Sequence, residues 1–279
     1  MPTEPNQSTG ETDPSSSSSS QQEQQQQQQQ PAGRRLGFEE MIHHVTTNPL
    51  YCLLFFTRMA TLFFTLLHIV PFLNNNSSLS YYQKALLANG ATSAIRLHQR
   101  LPAFRLTREF MDQLLAEDSC HYLFFSLIFL SHNPVTLVLL PIVLFAFLHL
   151  TRSVLTIVEE LGGNRNLSNS LSSFQSRYTP VMLQTVALSE IFIMPVIILA
   201  LITGMGSIVA PFLYYRFIIL RYASRRNPYS AQTFRQLRVT IETFAMRPEC
   251  PNFIRNISFK LVDLTCRLAP PRITVSTPQ

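Results

Sequence analysis

Leu50–Phe72 reads LYCLLFFTRMATLFFTLLHIVPF, 23 residues with Arg58 as the one Lys or Arg and no acid. As a helix such a run is about 35 Å long, enough to cross a hydrocarbon core of about 30 Å with tilt. It ends at Pro71 and the polar stretch Asn74-Asn75-Asn76-Ser77-Ser78. Val181–Thr203 is a second run of the same length, with Glu190 and Pro195 inside it. Between them Tyr122–Leu150 is apolar, but as one helix it would measure about 44 Å, and Ser131-His132-Asn133-Pro134 interrupts it. Pro134 disfavours a helical Asn133, which leaves one kinked crossing or a tight hairpin of two short helices. Ser207–Leu220 is apolar over only 14 residues, which fits a re-entrant or interfacial piece better than a span. The expectation is an all-α polytopic membrane protein: about three spans, short interfacial helices and a basic amphipathic C-terminal helical tail.

Composition agrees. Charged residues make up 14% of the 279, against about 25% in an average soluble domain. Residues 1–33 are largely Ser and Gln and offer too little apolar surface to offset the entropy of ordering. The expected organisation is a disordered tail over 1–49, a membrane domain over 50–220, an amphipathic tail over 221–270 and a disordered end at 271–279. The N-terminus lacks the pattern of a cleaved signal peptide. Four Cys without regular spacing do not make a disulfide scaffold.

Charge is unevenly placed. From Arg216 onward there are 11 Lys/Arg against three acids, which points to an anionic membrane surface ahead of nucleic acid. With three crossings and a luminal N-terminus, 16 Lys/Arg fall on the cytoplasmic side and five outside, the asymmetry that membrane insertion favours. Tyr81–Arg100 reads as a helix lying against the membrane or packing on the spans, and Thr107 as the N-cap of another.

Chemistry-bearing motifs are sparse. The seven His lack zinc spacing, and Asp118-x-x-His121 stands without a partner motif, so no metal or cofactor is expected. No nucleophile elbow or Walker sequence occurs, and the chain is expected not to be an enzyme. Arg58 and Glu190 remain. Charges inside spans are costly and mark function by default. They read as an ion pair locking two helices, or alternatively as the polar groups of a small channel or carrier.

The tail reads as two helices. Phe234, Leu237, Ile241 and Phe244 recur at spacings of three and four after Asn227-Pro228, and Ile254, Ile257, Leu261, Leu264 and Leu268 form a second stripe. Such basic amphipathic helices lie in a headgroup layer or pack on each other and on the spans. The expected membrane contacts are Arg225, Arg226, Arg235, Arg238, Arg255, Lys260 and Arg267, with Phe234, Leu237, Ile241, Ile257, Leu261 and Leu264 as the buried face.

Several strings carry a resemblance: Tyr82-Gln83-Lys84-Ala85-Leu86-Leu87-Ala88-Asn89, Ser93-Ala94-Ile95-Arg96-Leu97-His98-Gln99-Arg100-Leu101-Pro102, Glu117-Asp118-Ser119-Cys120-His121-Tyr122, Glu190-Ile191-Phe192-Ile193-Met194-Pro195 and Tyr214-Tyr215-Arg216-Phe217 through Asn227-Pro228-Tyr229. Together they resemble the transmembrane protein 33 family, also called Krüppel homologue 2, with its yeast pore-membrane relatives. The first 49 residues do not share the resemblance. It implies a multi-pass protein of the endoplasmic reticulum and nuclear envelope with no known catalytic site. The implied partners are the lipid bilayer, reticulon-type shaping proteins, nuclear pore components and stress-response sensors; nucleic acid is not among them, and self-association is left open.

Overall fold

The computed structural model describes residues 49–70, 78–101, 107–160, 165–224 and 227–269. Of the expected disordered segments 1–49 and 271–279, residues 1–48 and 271–279 lie outside these residues, as do the contacts assigned to Arg225 and Arg226; Pro49 already opens the first helix. The described chain is helical, with no strand. Its elements are α1 (Pro49–Ile69), α2 (Ser78–Arg100), α3 (Arg108–Ala116), α4 (Asp118–Leu130), α5 (Thr136–Glu160), α6 (Arg165–Ile202), α7 (Val209–Ala223), α8 (Tyr229–Ala245) and α9 (Asn252–Leu268).

Three of these helices, α1, α5 and α6, are long and apolar enough to cross a membrane. The interrupted middle segment is a hairpin of unequal arms, because Pro134 removes a helical donor and the chain turns over 131–135. The short arm, α4, spans 13 residues, roughly 20 Å. The long arm runs ten residues past the expected limit at Leu150. It can do so because the hydroxyls of Thr151, Ser153 and Thr156 donate to carbonyls one turn back, which satisfies them within the helix. Likewise α6 begins 16 residues before Val181, and its extra length is the polar stretch Arg165–Pro180.

Where the sequence offers a re-entrant or interfacial piece, α7 is an inner helix. Its Tyr214 and Phe217 are fully buried against Phe125 and Phe129 of α4, with Phe125 and Phe217 ring centroids 5.0 Å apart. The Gly204–Gly206 turn permits the reversal: Gly204 has φ +75°, and a Cβ on Gly206 would lie 2.8 Å from the Leu201 amide nitrogen. Only glycine tolerates both conditions cheaply. Tyr82, Leu86, Ile142 and Ile193 complete the apolar core.

Neighbouring helices run antiparallel. Thr92 of α2 reaches Thr57 of α1, Asn89 reaches Ser126 of α4, and Tyr51 at the start of α1 reaches the Ser153 carbonyl near the end of α5. Two ends result. The Asn133 end gathers the turns at 131–135 and 203–208, joined by the Asn133 amide donating to the Met205 carbonyl at 2.6 Å. The Asp118 end gathers the start of α1, the end of α2, the start of α4, the ends of α5 and α7, and α8. A three-crossing count that treats α7 as interfacial sets the tail opposite the start of α1. In the structure α7 returns alongside α6, and the start of α1 and the end of α7 lie at the same Asp118 end of the bundle.

The inward face of α1 is largely polar. On α1, Arg58, Thr61 and Thr65 are buried, whereas Phe56, Phe63 and Leu66 are exposed. For a helix in lipid this is the favourable arrangement, since hydrocarbon solvates the outside and protein must solvate the polar groups inside.

Candidate functional site

Two short helices set the geometry. At roughly 20 and 22 Å, α4 and α7 are shorter than a hydrocarbon core of about 30 Å, so their Asp118-end termini stop beside the polar layer of the longer helices. Asp118 opens α4, and Arg221 lies in the last turn of α7. The side chains at these two termini, Asp118 and Arg221, pair with each other.

Arg221 is 1% exposed. Its Nε donates to both Glu190 oxygens at 3.1 Å, and its Nη1 donates to Asp118 Oδ1 at 3.1 Å. The Tyr122 hydroxyl donates to Glu190 Oε1, and the Tyr214 hydroxyl donates to the Glu190 carbonyl at 2.7 Å. Ser224 donates to Asp118 Oδ1 at 3.0 Å, and Ser230 of α8 reaches Glu190 Oε2 at 3.5 Å. The guanidinium also lies over the Tyr122 ring, 5.3 Å from its centroid. The Glu190 and Asp118 carboxylates offset the cost of burying the guanidinium charge.

The expected Arg58–Glu190 pair is not formed. α1 packs on α2 and α5, whereas the Glu190 face of α6 is turned to α4 and α7. Arg58 instead donates from Nη1 to Ser153 Oγ at 3.3 Å. The partner that sequence reasoning missed, Arg221, was counted with the basic tail. Its signal was the spacing Tyr214, Phe217, Arg221, which places it on the buried aromatic face of α7. Asp118 and His121 do sit on one helical face, 3.7 Å apart. Their contacts are to protein: His121 Nε2 is bonded to the Leu115 carbonyl at 2.7 Å, and Asp118 accepts from Arg221 and Ser224.

Beside this clamp of Arg221 on Glu190 and Asp118, a partly enclosed cavity of about 310 Å3 opens between α1, α2, α4 and α5, with Leu183 of α6 and Tyr229 of α8 also in its lining. Its polar lining includes Arg58, Thr61, Asn89, Arg96, Arg100 and His149. Arg96 Nη1 lies 2.7 Å from His149 Nε2, and Arg100 pairs with Glu117 at 3.1 Å. Burial first, then the Arg100 and Arg58 charges, lower the Arg96 pKa to about 10.

The tail helices divide the two roles that the sequence left open for them. On α8, Phe234, Leu237 and Ile241 are half-buried toward the bundle, with Phe234 edge-on to Tyr222 at 5.8 Å. Arg235 and Arg238 point outward, Arg238 bonding Glu242 at 2.7 Å. No residue of α9 is buried. Its Phe253, Ile257, Leu261, Leu264 and Leu268 are exposed, as is Lys260, and Arg267 pairs with Asp263 at 2.8 Å. Arg255 is the exception among the expected surface contacts. It turns onto the carbonyls of Ala245 and Arg247 at 3.0 and 3.2 Å, fastening the α8–α9 corner.

A family model described as Transmembrane protein 33/Nucleoporin POM33 matches residues 33–271. The chain belongs to the Transmembrane protein 33/Nucleoporin POM33 family. The human Transmembrane protein 33 is 42% identical over 234 residues, 82% of this chain and 93% of that protein. The Caenorhabditis elegans Transmembrane protein 33 homolog is 37% identical, covering 84% and 87%. Drosophila melanogaster Krueppel homolog 2 is 39% identical, covering 75% of each chain. No solved structure matches. In this member of the Transmembrane protein 33/Nucleoporin POM33 family, the matched region contains the clamp, the cavity and both tail helices.

Proposed function

We propose that this protein organises endoplasmic reticulum and nuclear-envelope membrane as a non-enzymatic scaffold. The spans anchor it, and α9 lies in the headgroup layer with its apolar stripe inserted. The observation that carries this reading is the exposed stripe of α9, unburied along its whole length and flanked by basic residues. Each basic residue near an anionic surface contributes about 1 kcal/mol, and shallow one-sided insertion biases curvature or recruits curved-membrane partners.

Sidedness supports the same reading. The turns at 131–135 and 203–208 hold no Lys or Arg. Arg100, Arg108, Arg152, Arg165 and Arg177 flank the Asp118 end, together with the basic tail. By the bias of positive charge toward the cytoplasm, that end faces the cytosol and α9 meets the cytoplasmic leaflet. A family name that includes a nucleoporin supports nuclear pore membrane as one location; reticulon-type proteins, pore components and stress sensors are the partners this surface would serve.

The channel reading loses its basis in a conducting Arg58–Glu190 pair, because Glu190 is closed off by Arg221 and Tyr122. The test is Ile257→Glu with Leu261→Glu in the full-length chain, expressed in cells lacking the native protein. The reading expects the variant to insert and accumulate normally yet fail to restore reticulum and nuclear-envelope shape. Full restoration by the variant would refute it.

A further inference from the structure

Arg58 is 8% exposed, and among the described residues its one hydrogen-bond partner is the neutral Ser153 hydroxyl, while its Nε finds none. Arg96, one wall away, meets the imidazole of His149. Among the described residues no carboxylate lies within ion-pair distance of either guanidinium. The acid lining the cavity, Asp118, is already committed to Arg221 and Ser224. Guanidinium groups remain charged in proteins, and an uncompensated buried charge is unfavourable unless something pairs it. Here the buried Arg58 and the half-buried Arg96 face a common space of about 310 Å3, large enough for a tetrahedral oxyanion. Thr61, Ser93 and Asn89 line the same space and add neutral polar groups.

We propose that this cavity is a binding site for a phosphate-type oxyanion, held by Arg58 and Arg96 and carried either by a free phosphate or by a phospholipid headgroup. The planar guanidinium fork matches the geometry of phosphate oxygens, two donors to two acceptors. Arg58 supplies the unpartnered Nε, and Arg96 supplies the donors that His149 does not engage. Arg100, paired to Glu117 and 42% exposed, stands at the outer part of the lining and attracts the anion without being its anchor.

The experiment uses full-length protein purified in a neutral detergent. Inorganic phosphate and dioctanoyl phosphatidic acid are titrated in separate arms at constant ionic strength, and the melting temperature is read. A saturable rise is expected in at least one arm. A rise with inorganic phosphate identifies a free oxyanion; a rise confined to phosphatidic acid identifies a headgroup. Arg58→Gln and Arg96→Gln are each expected to weaken the response about tenfold or more, and Arg238→Gln, on the exposed face of α8, to leave it unchanged. If Arg58→Gln does not fold, the half-buried Arg96 decides. Where Arg96→Gln also fails, Arg96→Lys keeps the charge without the fork and is expected to weaken the response several-fold. No rise in either arm for the unmodified chain overturns the proposal, as does a response that every folded variant retains in full.

Discussion

At the residue scale, a carboxyl group 2% exposed in a membrane helix must find in side chains the partners that water no longer supplies. Glu190 finds them in Arg221, Tyr122 and Ser230, one from each of α7, α4 and α8. Removing one member of a buried pair leaves the other uncompensated, a loss of about 3–5 kcal/mol. Glu190→Gln is therefore expected to lower the melting temperature in detergent sharply. Tyr122→Phe, which removes one hydrogen bond to a charged group, should cost about 1.5–3 kcal/mol. Arg221→Met should cost less in the Glu190→Gln background than in the parent, since the two act as a unit. Additive losses across that cycle would show the contacts to be independent. The need for a partner was legible in the sequence, because a lone acid in an apolar run demands one; its identity was not. Arg58 is the intramembrane cation within a span by linear reading, whereas Arg221 joins the bundle only because α7 folds back.

At the element scale, α4 and α7 are the helices that hydropathy does not declare, and for one reason. Helices of 13 and 15 residues fall below the length at which hydropathy declares a span, so their burial depends on tertiary packing that composition does not encode. The longer spans, the break at Pro134, the Thr107 cap and the two tail helices were legible, since each rests on local chemistry. Thr107 caps as its sequence position implies, accepting from the Phe110 amide at 3.3 Å, but α3 stops at Ala116 and the chain restarts at Asp118. His121 fastens that joint. Its Nε2 is bonded to the Leu115 carbonyl of α3, and burial, partly countered by that bond, lowers its pKa below the ordinary 6.5. The folded state therefore binds fewer protons than the unfolded one. The contribution to stability is complete above about pH 6.5 and is lost as pH falls from there through the folded value. The melting temperature of the parent is expected to fall relative to that of His121→Gln as the medium is acidified below pH 6.5. Parallel profiles for the two would show that His121 does not titrate on unfolding.

At the scale of the whole molecule, alternating helices bring the start of α1 and the end of α7 to the same face, the face where Arg and Lys gather. Epitope tags fused at the two termini should therefore both be digested by protease added outside sealed microsomes. Protection of one tag alone would mean that α7 does not return across the membrane. The tail then carries the central claim, that α9 lies in the cytoplasmic headgroup layer with its stripe inward. The most direct measurement is the depth of two positions on α9 in reconstituted full-length protein. In a background without native cysteines, Leu261→Cys and Lys260→Cys are each labelled with an environment-sensitive fluorophore. Quenchers are then supplied once in the acyl chains and once in the water. The label at 261 should be quenched from the lipid and the label at 260 from the water, in vesicles containing anionic lipid. Equal quenching of both from the water would place α9 off the membrane and contradict the scaffold mechanism.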